Sequence, residues 1–288
     1  MLRARVVTAI VVVTLFIAAL FYLPSRGWDW FVLTVAMIGI WEWGRVAGYT
    51  RSGTAWYCGV TLSIALALMA TMVSAEQLRG LGMRPLHQAI LLLAGVFWLL
   101  VAPLWLGRGW KVRSALVLAV TGWVVVLPAW LALGYLHRVS PWFLLSLAAL
   151  VWIADVAAYF AGRRFGKRKL APHISPGKTW EGVAGALLAV SLYYLGMVLG
   201  LGGFQAPGIA LPGSAAAALF WLPAVWLLTG ISIVGDLFES WLKRTAGVKD
   251  SGSILPGHGG ILDRIDALVA TLPVALLLMM VYAAWQQG

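Results

Sequence analysis

Charged residues are scarce in this chain. Lys, Arg, Asp and Glu together make up 11% of its 288 residues, whereas they supply about a quarter of a typical soluble domain. The single cysteine, Cys58, excludes a disulfide within the chain, and we assign it no role. No basic run is long or continuous, which argues against nucleic-acid binding. Apolar residues are abundant instead, at 62% of the chain with a mean hydropathy of +0.91. This composition indicates a polytopic integral membrane protein.

Apolar runs of about 20 residues are long enough to cross a bilayer as helices, and nine such runs occur. They cover approximately residues 5–23, 28–48, 55–75, 87–106, 114–135, 141–161, 181–202, 214–236 and 264–285. The predicted fold is therefore all-α, with about nine transmembrane helices. We interpret residues 1–140 as a scaffold of transmembrane helices. Residues 141–288 form the predicted catalytic region, with polar loops at 162–180 and 236–264.

The distribution of positive charge predicts the orientation of these helices. When the N-terminus is placed in the cytoplasm, most of the 21 Lys and Arg residues fall in cytoplasmic segments, as is typical of membrane proteins. We therefore expect a multi-pass protein of the inner, cytoplasmic membrane with both polar loops on the cytoplasmic side. The net charge of +11 also favours contact with anionic membrane lipids.

Acidic residues concentrate between residues 235 and 266. Five of the ten acids of the chain lie there: Asp236, Glu239, Asp250, Asp263 and Asp266. Charge at a membrane boundary is costly unless it is paired, metal-bound or hydrated. On a helix, Asp236, Glu239 and Lys243 would share one face, and so would Asp263 and Asp266 at the start of the last run. Two facing helix ends that carry carboxylates suit Mg²⁺, which prefers carboxylates, water and substrate phosphates.

The residues between these carboxylates suit phosphate. The sequence Pro-Gly-His-Gly-Gly at 256–260 lets the backbone approach an anion closely just before a helix begins. Lys243, Arg244 and Lys249 add positive charge. A metal ion combined with phosphate-binding cations is what phosphoryl or nucleotidyl transfer requires.

Two acids interrupt apolar runs elsewhere. An acid inside a membrane span is a functional hypothesis that needs a partner. For Asp155 we expect Lys178, or a metal shared with the 236–266 cluster, while a structural pair with Arg163 or Arg164 is the alternative. For Glu42 we expect a pair with Arg45, three residues further along the same helix, and a role in substrate binding is the alternative.

The second polar loop also has the chemistry of a phosphate-binding segment. Its sequence Ser175-Pro-Gly-Lys178-Thr179 lacks the spacing of a Walker loop. Pro and Gly nevertheless favour a turn, Lys178 supplies charge, and the hydroxyl groups and backbone N–H groups can donate hydrogen bonds. Thr179 is placed to open the following helix.

Taken together, these segments resemble a known family. The residues Ser240-x-x-Lys243-Arg244, Lys249-Asp250, the glycine sequence at 256–260 and Leu262-Asp-Arg-Ile-Asp266 are similar to the signature of phosphatidate cytidylyltransferase (CDP-diacylglycerol synthase). The Asp155 segment, followed by Ser-Pro-Gly-Lys-Thr, resembles another motif of that family. The resemblance implies that CTP and phosphatidic acid are converted to CDP-diacylglycerol and pyrophosphate in phospholipid biosynthesis.

On this hypothesis each polar residue has an expected role. Magnesium, with a second cation as an open alternative, is expected to bind Asp236, Asp250, Asp263 and Asp266. The catalytic set comprises Asp236, Asp263, Lys243, Arg244 and His258. Substrate-binding candidates are Ser175, Lys178, Thr179, Ser240, Lys249, Gly259, Gly260 and Arg264. We expect His258 to contact phosphate, to protonate the leaving group or to brace its loop. We expect Glu239 to pair with Lys243 or Arg244. Asp155 is a further candidate.

Other classes of protein were weighed against this one. A CDP-alcohol phosphotransferase also clusters acids at membrane helix ends, but its Asp-Gly-x-x-Ala-Arg pattern is absent. An ion-coupled transporter usually shows two similar halves, whereas the acidic and glycine-rich elements here lie almost wholly in the second half. The small residues at 182–186 indicate either close helix packing or a homodimer face.

Overall fold

The computed structural model describes residues 2–73, 83–200, 205–206, 209–210, 215–255, 257 and 259–287. Nine helices lie within these ranges: α1 (Leu2–Tyr22), α2 (Ser25–Val46), α3 (Arg51–Ala70), α4 (Pro85–Arg108), α5 (Ala115–Val139), α6 (Pro141–Phe165), α7 (Trp180–Gly200), α8 (Ala215–Thr245) and α9 (Leu262–Gln287). Each corresponds to one predicted apolar run, so the all-α membrane fold is confirmed. A π-helical turn, Phe97–Val101, interrupts α4 just before Pro103. The nitrogen of this proline carries no hydrogen, so it cannot donate to the regular hydrogen-bond pattern of the helix.

Seven of the described helices, α3 to α9, are long and apolar enough to cross a membrane. The described apolar part of α1, Val7–Tyr22, is shorter than these. Helix α2 has the length but carries four charged residues, Arg26, Asp29, Glu42 and Arg45. The predicted count of nine spans is therefore not confirmed, and the cytoplasmic N-terminus stays a prediction.

Helices α5 and α9 form the centre of the protein. They are the most buried of the candidate spans among the described residues, with α5 packed against α2 and α9. Around this centre, α6 lies along α7, and α8 lies along α9. An ion pair joins α5 to α2 inside the core, where Arg138 contacts Asp29 at 2.5 Å and both side chains are almost fully buried. Asp29 therefore faces protein rather than lipid, which accounts for an acid in an otherwise apolar helix.

The predicted 162–180 loop is largely ordered structure. Helix α6 continues to Phe165, and strands β1 (Lys169–Ala171) and β2 (Ser175–Thr179) then form an antiparallel hairpin. The carboxylate of Glu181 accepts hydrogen bonds from the backbone N–H groups of Lys167 and Arg168. Thr179 opens α7 as predicted, because its hydroxyl accepts a hydrogen bond from Gly182 N at 3.1 Å and so caps the helix. These bonds fix the position of Lys178 within β2. A second hairpin pairs β3 (Gln205–Ala206) with β4 (Ile209–Ala210).

Helix α8 is longer than predicted. The apolar run ends near Asp236, but the helix continues to Thr245. The predicted loop at 236–264 therefore starts too early, whereas Asp236, Glu239 and Lys243 share a helix, as expected from their spacing. Pairs four residues apart, such as Glu239 with Lys243, satisfy the charged groups along this extension. The irregular segment before α9 is confined to residues 246–261.

The small residues near the start of α7 serve packing within the chain. A Cβ atom at Gly185 would lie 2.3 Å from the Cβ atom of Ala161 on α6, and one at Gly182 would lie 2.8 Å from the carbonyl oxygen of Ala158. The expectation of close helix packing is therefore confirmed. The homodimer stays a prediction.

Helices α8 and α9 lie in close contact at Gly235. A Cβ atom there would lie 2.6 Å from the carbonyl oxygen of Asp266 and 2.7 Å from the Cβ atom of Ala270. We expect Gly235→Ala to lower the free energy of unfolding by about 1–3 kcal/mol, because the added methyl group must push the helices apart. Gly230→Ala is the matched control, since nothing lies within 4 Å of its Cβ position on the same helix. That variant should be neutral or more stable, because alanine favours helix by up to about 1 kcal/mol. Thermal unfolding in detergent measures both, and equal effects would contradict the close contact.

Candidate active site

Two of the predicted site segments meet at an ion pair. Lys178, on strand β2, places its Nζ atom 2.7 Å from Oδ2 of Asp236 on α8. Ser240, one turn further along α8, donates a hydrogen bond to the other carboxylate oxygen at 3.3 Å. Both members of the ion pair are partly exposed, with 23% of the lysine side chain and 31% of the aspartate side chain accessible. The predicted convergence of the two polar segments is therefore confirmed, and the meeting point is open to the surroundings.

Two further carboxylates lie around this pair. Asp155, on α6, lies close enough to Asp236 and Lys178 to interact electrostatically with both. It forms no ion pair with any residue that the structure describes, so its expected pairing with Lys178 stays a prediction. Asp266, near the start of α9, interacts with Asp236 and Lys178 and also with Lys243. Three helices and one hairpin therefore contribute charge to a single region.

A second, more buried ion-pair group adjoins the first. Lys243 places its Nζ atom 2.5 Å from a carboxylate oxygen of Glu239 and 2.5 Å from one of Asp263. The predicted pairing of Glu239 is thus confirmed, with Lys243 as its partner. The other oxygen of Glu239 is buried and has no hydrogen-bond partner in the part of the chain that the structure describes. Such an oxygen is a natural contact for a proton or a cation.

Asp263 organises the segment before α9. Its Oδ1 atom contacts Lys243, and its Oδ2 atom accepts hydrogen bonds from Ser251 N, Ser251 Oγ and Gly260 N at 2.7–3.1 Å. Protein donors therefore occupy both oxygens. This arrangement favours a structural role, in which Asp263 holds the loop and orients Lys243, over its expected role as a metal ligand.

Glu42 enters the same region from α2. It is fully buried and accepts hydrogen bonds from Ile261 N and Leu262 N at 2.9–3.0 Å. It shares the single hydroxyl hydrogen of Ser251 with Asp263. A carboxylate at these N–H groups caps α9 and interacts favourably with its dipole. A Cβ atom at Gly260 would lie 2.4 Å from this carboxylate, so only glycine fits there.

The expected pairing of Glu42 with Arg45 is wrong. Arg45 makes no ion pair with any residue that the structure describes, and the hydrogen bonds of Glu42 go to residues more than 200 positions away. The nearest basic residue in sequence was taken for the partner. The signal that could have found the true role is the position of an acid within an otherwise apolar run.

Two glycines before α9 adopt left-handed backbone conformations. Gly257 and Gly259 have φ angles of 75° and 80°, which favour glycine, and Leu255 N donates to Gly259 O at 3.0 Å. The expected roles of His258 fall on a residue outside those that the structure describes.

Several other predicted site residues lie on the surface around the cluster. Ser175 begins β2 and is partly buried, while the side chains of Arg244, Lys249, Asp250 and Arg264 are exposed. Within the described residues, Asp250 forms no ion pair with the lysines of the cluster. Its role as a metal ligand stays a prediction.

The cluster contains more acidic groups than basic ones. Five carboxylates, those of Asp155, Asp236, Glu239, Asp263 and Asp266, interact with two lysines, Lys178 and Lys243. Excess negative charge at a membrane boundary must be offset by protons or by bound cations. Within the described ranges, no three acidic, histidine or cysteine side chains are grouped closely enough to hold a metal ion by themselves. The donor chemistry fits Mg²⁺ in its usual form, with one or two carboxylates and the remaining positions filled by water and phosphate.

The fold and the site together define a polytopic membrane protein with a charged, phosphate-compatible centre at the ends of its helices. Comparison with known proteins gives the family. Residues 3–282 match the model of the cytidylyltransferase family, and the chain belongs to this family.

Its relatives cover the whole chain. A protein from Pseudomonas aeruginosa named phosphatidate cytidylyltransferase is 38% identical over 284 residues, which are 95% of this chain and 95% of the relative. Proteins of the same name from Haemophilus influenzae and Brucella suis are 34% and 32% identical, and each alignment covers at least 94% of both chains. The predicted family membership is confirmed.

Proposed function

We propose that this chain transfers a cytidylyl group from CTP to phosphatidic acid at the cluster around Lys178 and Asp236. A phosphate oxygen of phosphatidic acid attacks the α-phosphorus of CTP. The bond from that phosphorus to the oxygen bridging to the β-phosphate breaks, and pyrophosphate leaves with the electron pair. The product is CDP-diacylglycerol. The main support is the ion pair between Lys178 and Asp236, which joins the segment with phosphate-binding chemistry to the acidic cluster. The second support is that the chain belongs to the cytidylyltransferase family.

The reaction demands little from a general base. A phosphate monoester has its second pKa near ~6, so the attacking phosphate is largely dianionic at neutral pH. The barrier comes from bringing anions together and from the charge that develops on the leaving pyrophosphate. Lys178, with Ser240 bonded to its partner Asp236, is placed to bind phosphate oxygens. Arg244 and Lys249 are exposed and can reach the outer phosphates of the nucleotide.

Lys243 and Asp263 act as a unit in this proposal. Asp263 and Glu239 hold the ammonium group of Lys243, while the same Asp263 fixes Ser251 and Gly260. The position of Lys243 is thereby tied to the shape of the loop at 246–261. We assign Lys243 to the phosphates and Asp263 to its orientation.

Magnesium is the proposed cofactor, and Asp236 and Asp266 are the residues best placed to hold it, with Asp155 beside them. When bound, the ion would neutralise phosphate charge and orient the triphosphate. Metal binding can be measured without activity, because a ligand that binds only the folded protein raises its unfolding temperature. Mg²⁺ should raise the unfolding temperature of the wild-type protein and should raise that of the Asp266→Asn variant less. Equal shifts in the two proteins would remove Asp266 from the metal site.

We further propose that the cluster faces the cytoplasm of a bacterial inner membrane, where CTP is available. Support comes from the charge distribution, which places most Lys and Arg residues on that side. Cysteine accessibility tests this orientation. A cysteine at Lys169, with the native Cys58 replaced by Ala, should react in intact cells only with permeant maleimides. Labelling by an impermeant maleimide would reverse the orientation.

Release of pyrophosphate by the purified protein tests the reaction itself. We expect pyrophosphate from CTP only when phosphatidic acid is present, together with a lipid product that carries the cytidylyl group. Equal release without lipid would indicate hydrolysis of CTP rather than transfer. Electrogenic ion uptake by proteoliposomes without nucleotide would instead support the transporter class.

A further inference from the structure

A pocket lies beside the end of α8, the helix that also carries Asp236 and Lys243. Its empty space amounts to about 640 Å³, including an open mouth, and its lining includes Arg45 and Arg113. Helix α8 contributes Leu242 and Thr245 to this pocket. At 100° per residue, Thr245 lies opposite Asp236 and Lys243, and Leu242 lies about 100–120° from them. None of the cluster residues lines the pocket. The pocket is therefore separate from the proposed active site.

Three hydrogen bonds hold the walls of this pocket together. Trp43 donates from its indole N–H to Leu118 O at 2.9 Å, and the hydroxyl of Tyr49 donates to Ala115 O at 2.5 Å. These two bonds fasten the end of α2 to the start of α5. Trp241 donates to Trp110 O at 2.9 Å and fastens α8 to the connection before α5. The space between these elements is thus held open by specific contacts.

The two arginines of the pocket carry uncompensated charge. Neither Arg45 nor Arg113 forms an ion pair or a side-chain hydrogen bond with any residue that the structure describes. Apolar side chains such as Val46, Val112 and Leu118 lie beside them. Two guanidinium groups next to an apolar wall match the chemistry of an amphiphile whose head is a phosphate.

We propose that this pocket binds the headgroup of an anionic phospholipid. Basic pockets between membrane helices near the surface are a recurrent form of lipid recognition. A soluble phosphate would pair with the arginines but leave the apolar wall unused, whereas a lipid covers both. The pocket also lies at the ends of membrane-spanning helices, where lipid phosphates are at their highest concentration. This site does not depend on the proposed reaction, and its occupant is not the substrate at the cluster.

Native mass spectrometry of the protein with added phosphatidylglycerol or phosphatidylcholine tests the proposal. The wild-type protein should retain phosphatidylglycerol in preference to phosphatidylcholine. The double variant Arg45→Gln/Arg113→Gln should retain about tenfold less, because two charge-assisted contacts are lost. Its matched control is Arg51→Gln/Lys111→Gln, which removes the same charge from neighbouring exposed positions outside the pocket. The control should retain phosphatidylglycerol as the wild type does.

Equal loss in the double variant and the control would overturn the proposal, since net charge alone would then explain retention. Displacement of phosphatidylglycerol by millimolar inorganic phosphate or pyrophosphate would show that the ligand is a soluble anion, and it would overturn the lipid assignment. If the double variant does not fold, Arg113→Gln alone, in the exposed connection before α5, should still reduce retention about threefold. Retention is measured without turnover, so a failure of the proposed reaction would not affect this result.

Discussion

Replacing Asp236 by Asn is expected to lower kcat/KM for CTP about 10²- to 10³-fold, the usual cost of one electrostatic contact in an active site. The carboxylate pairs with Lys178 at 2.7 Å and lies beside Asp155 and Asp266. Asparagine keeps the size of the side chain but removes its charge, so Lys178 loses its counterion and the proposed metal loses a ligand. Release of pyrophosphate from CTP, at saturating phosphatidic acid, measures the effect.

Ser240→Ala is the control for Asp236→Asn, because it changes the surroundings of Asp236 and keeps its charge. It removes only the 3.3 Å hydrogen bond to Asp236, so its effect should be about tenfold or less. Both variants should unfold at nearly the wild-type temperature, because the side chains they change are partly exposed. If Asp236→Asn retained more than a tenth of wild-type activity, the reaction would have to take place elsewhere.

Glu42→Ala is the second substitution expected to have a large effect. It leaves the N–H groups of Ile261 and Leu262 without their acceptor, and each unpaired buried group costs about 1–3 kcal/mol. Glu42 is a positioning residue, so the loss should appear mainly in kcat, by about 10- to 100-fold. Hydrogen exchange supplies a readout that activity does not, because the amides of Ile261 and Leu262 should exchange faster.

Arg45→Gln is the matched variant for Glu42→Ala. If Glu42 acted through a pair with Arg45 on α2, both variants would lose the same activity. We expect Arg45→Gln to leave cytidylyl transfer within about twofold, because no carboxylate of the described chain depends on this arginine. Glu42→Gln should fall between the two, since its amide keeps one acceptor oxygen for the start of α9.

The sequence allowed the helices to be predicted better than their ends. Apolar runs mark each described helix, because a span needs about 20 apolar residues. The end of α8 was missed by nearly ten residues, since Asp236, Glu239 and Lys243 interrupt the run that marks it. Once the helix forms, these groups face Lys178, Asp263 and one another, and the helix continues. Several of these pairs join residues that are distant in the sequence, so composition alone does not predict them.

Only those site residues that belong to a recognisable motif could be predicted from the sequence. The proximity of Lys178 to the 236–266 acids was predicted because both segments resemble motifs of one family. Glu42 belongs to no such motif, and its partners lie in another part of the chain. For Asp263, the sequence predicted the location of the residue but not its role. Its position among the acids was correct, but the donors that occupy both of its oxygens come from the folding of residues 251–260.

The reach of Glu42 across the chain bears on how the protein can be divided. A fragment of residues 141–288 would contain every basic and acidic residue of the proposed centre, yet the first turn of α9 would have no acceptor for its N–H groups. Such a fragment should fail on its own. Co-expression with a separate fragment of residues 1–140 should restore it, provided that the added fragment carries the glutamate.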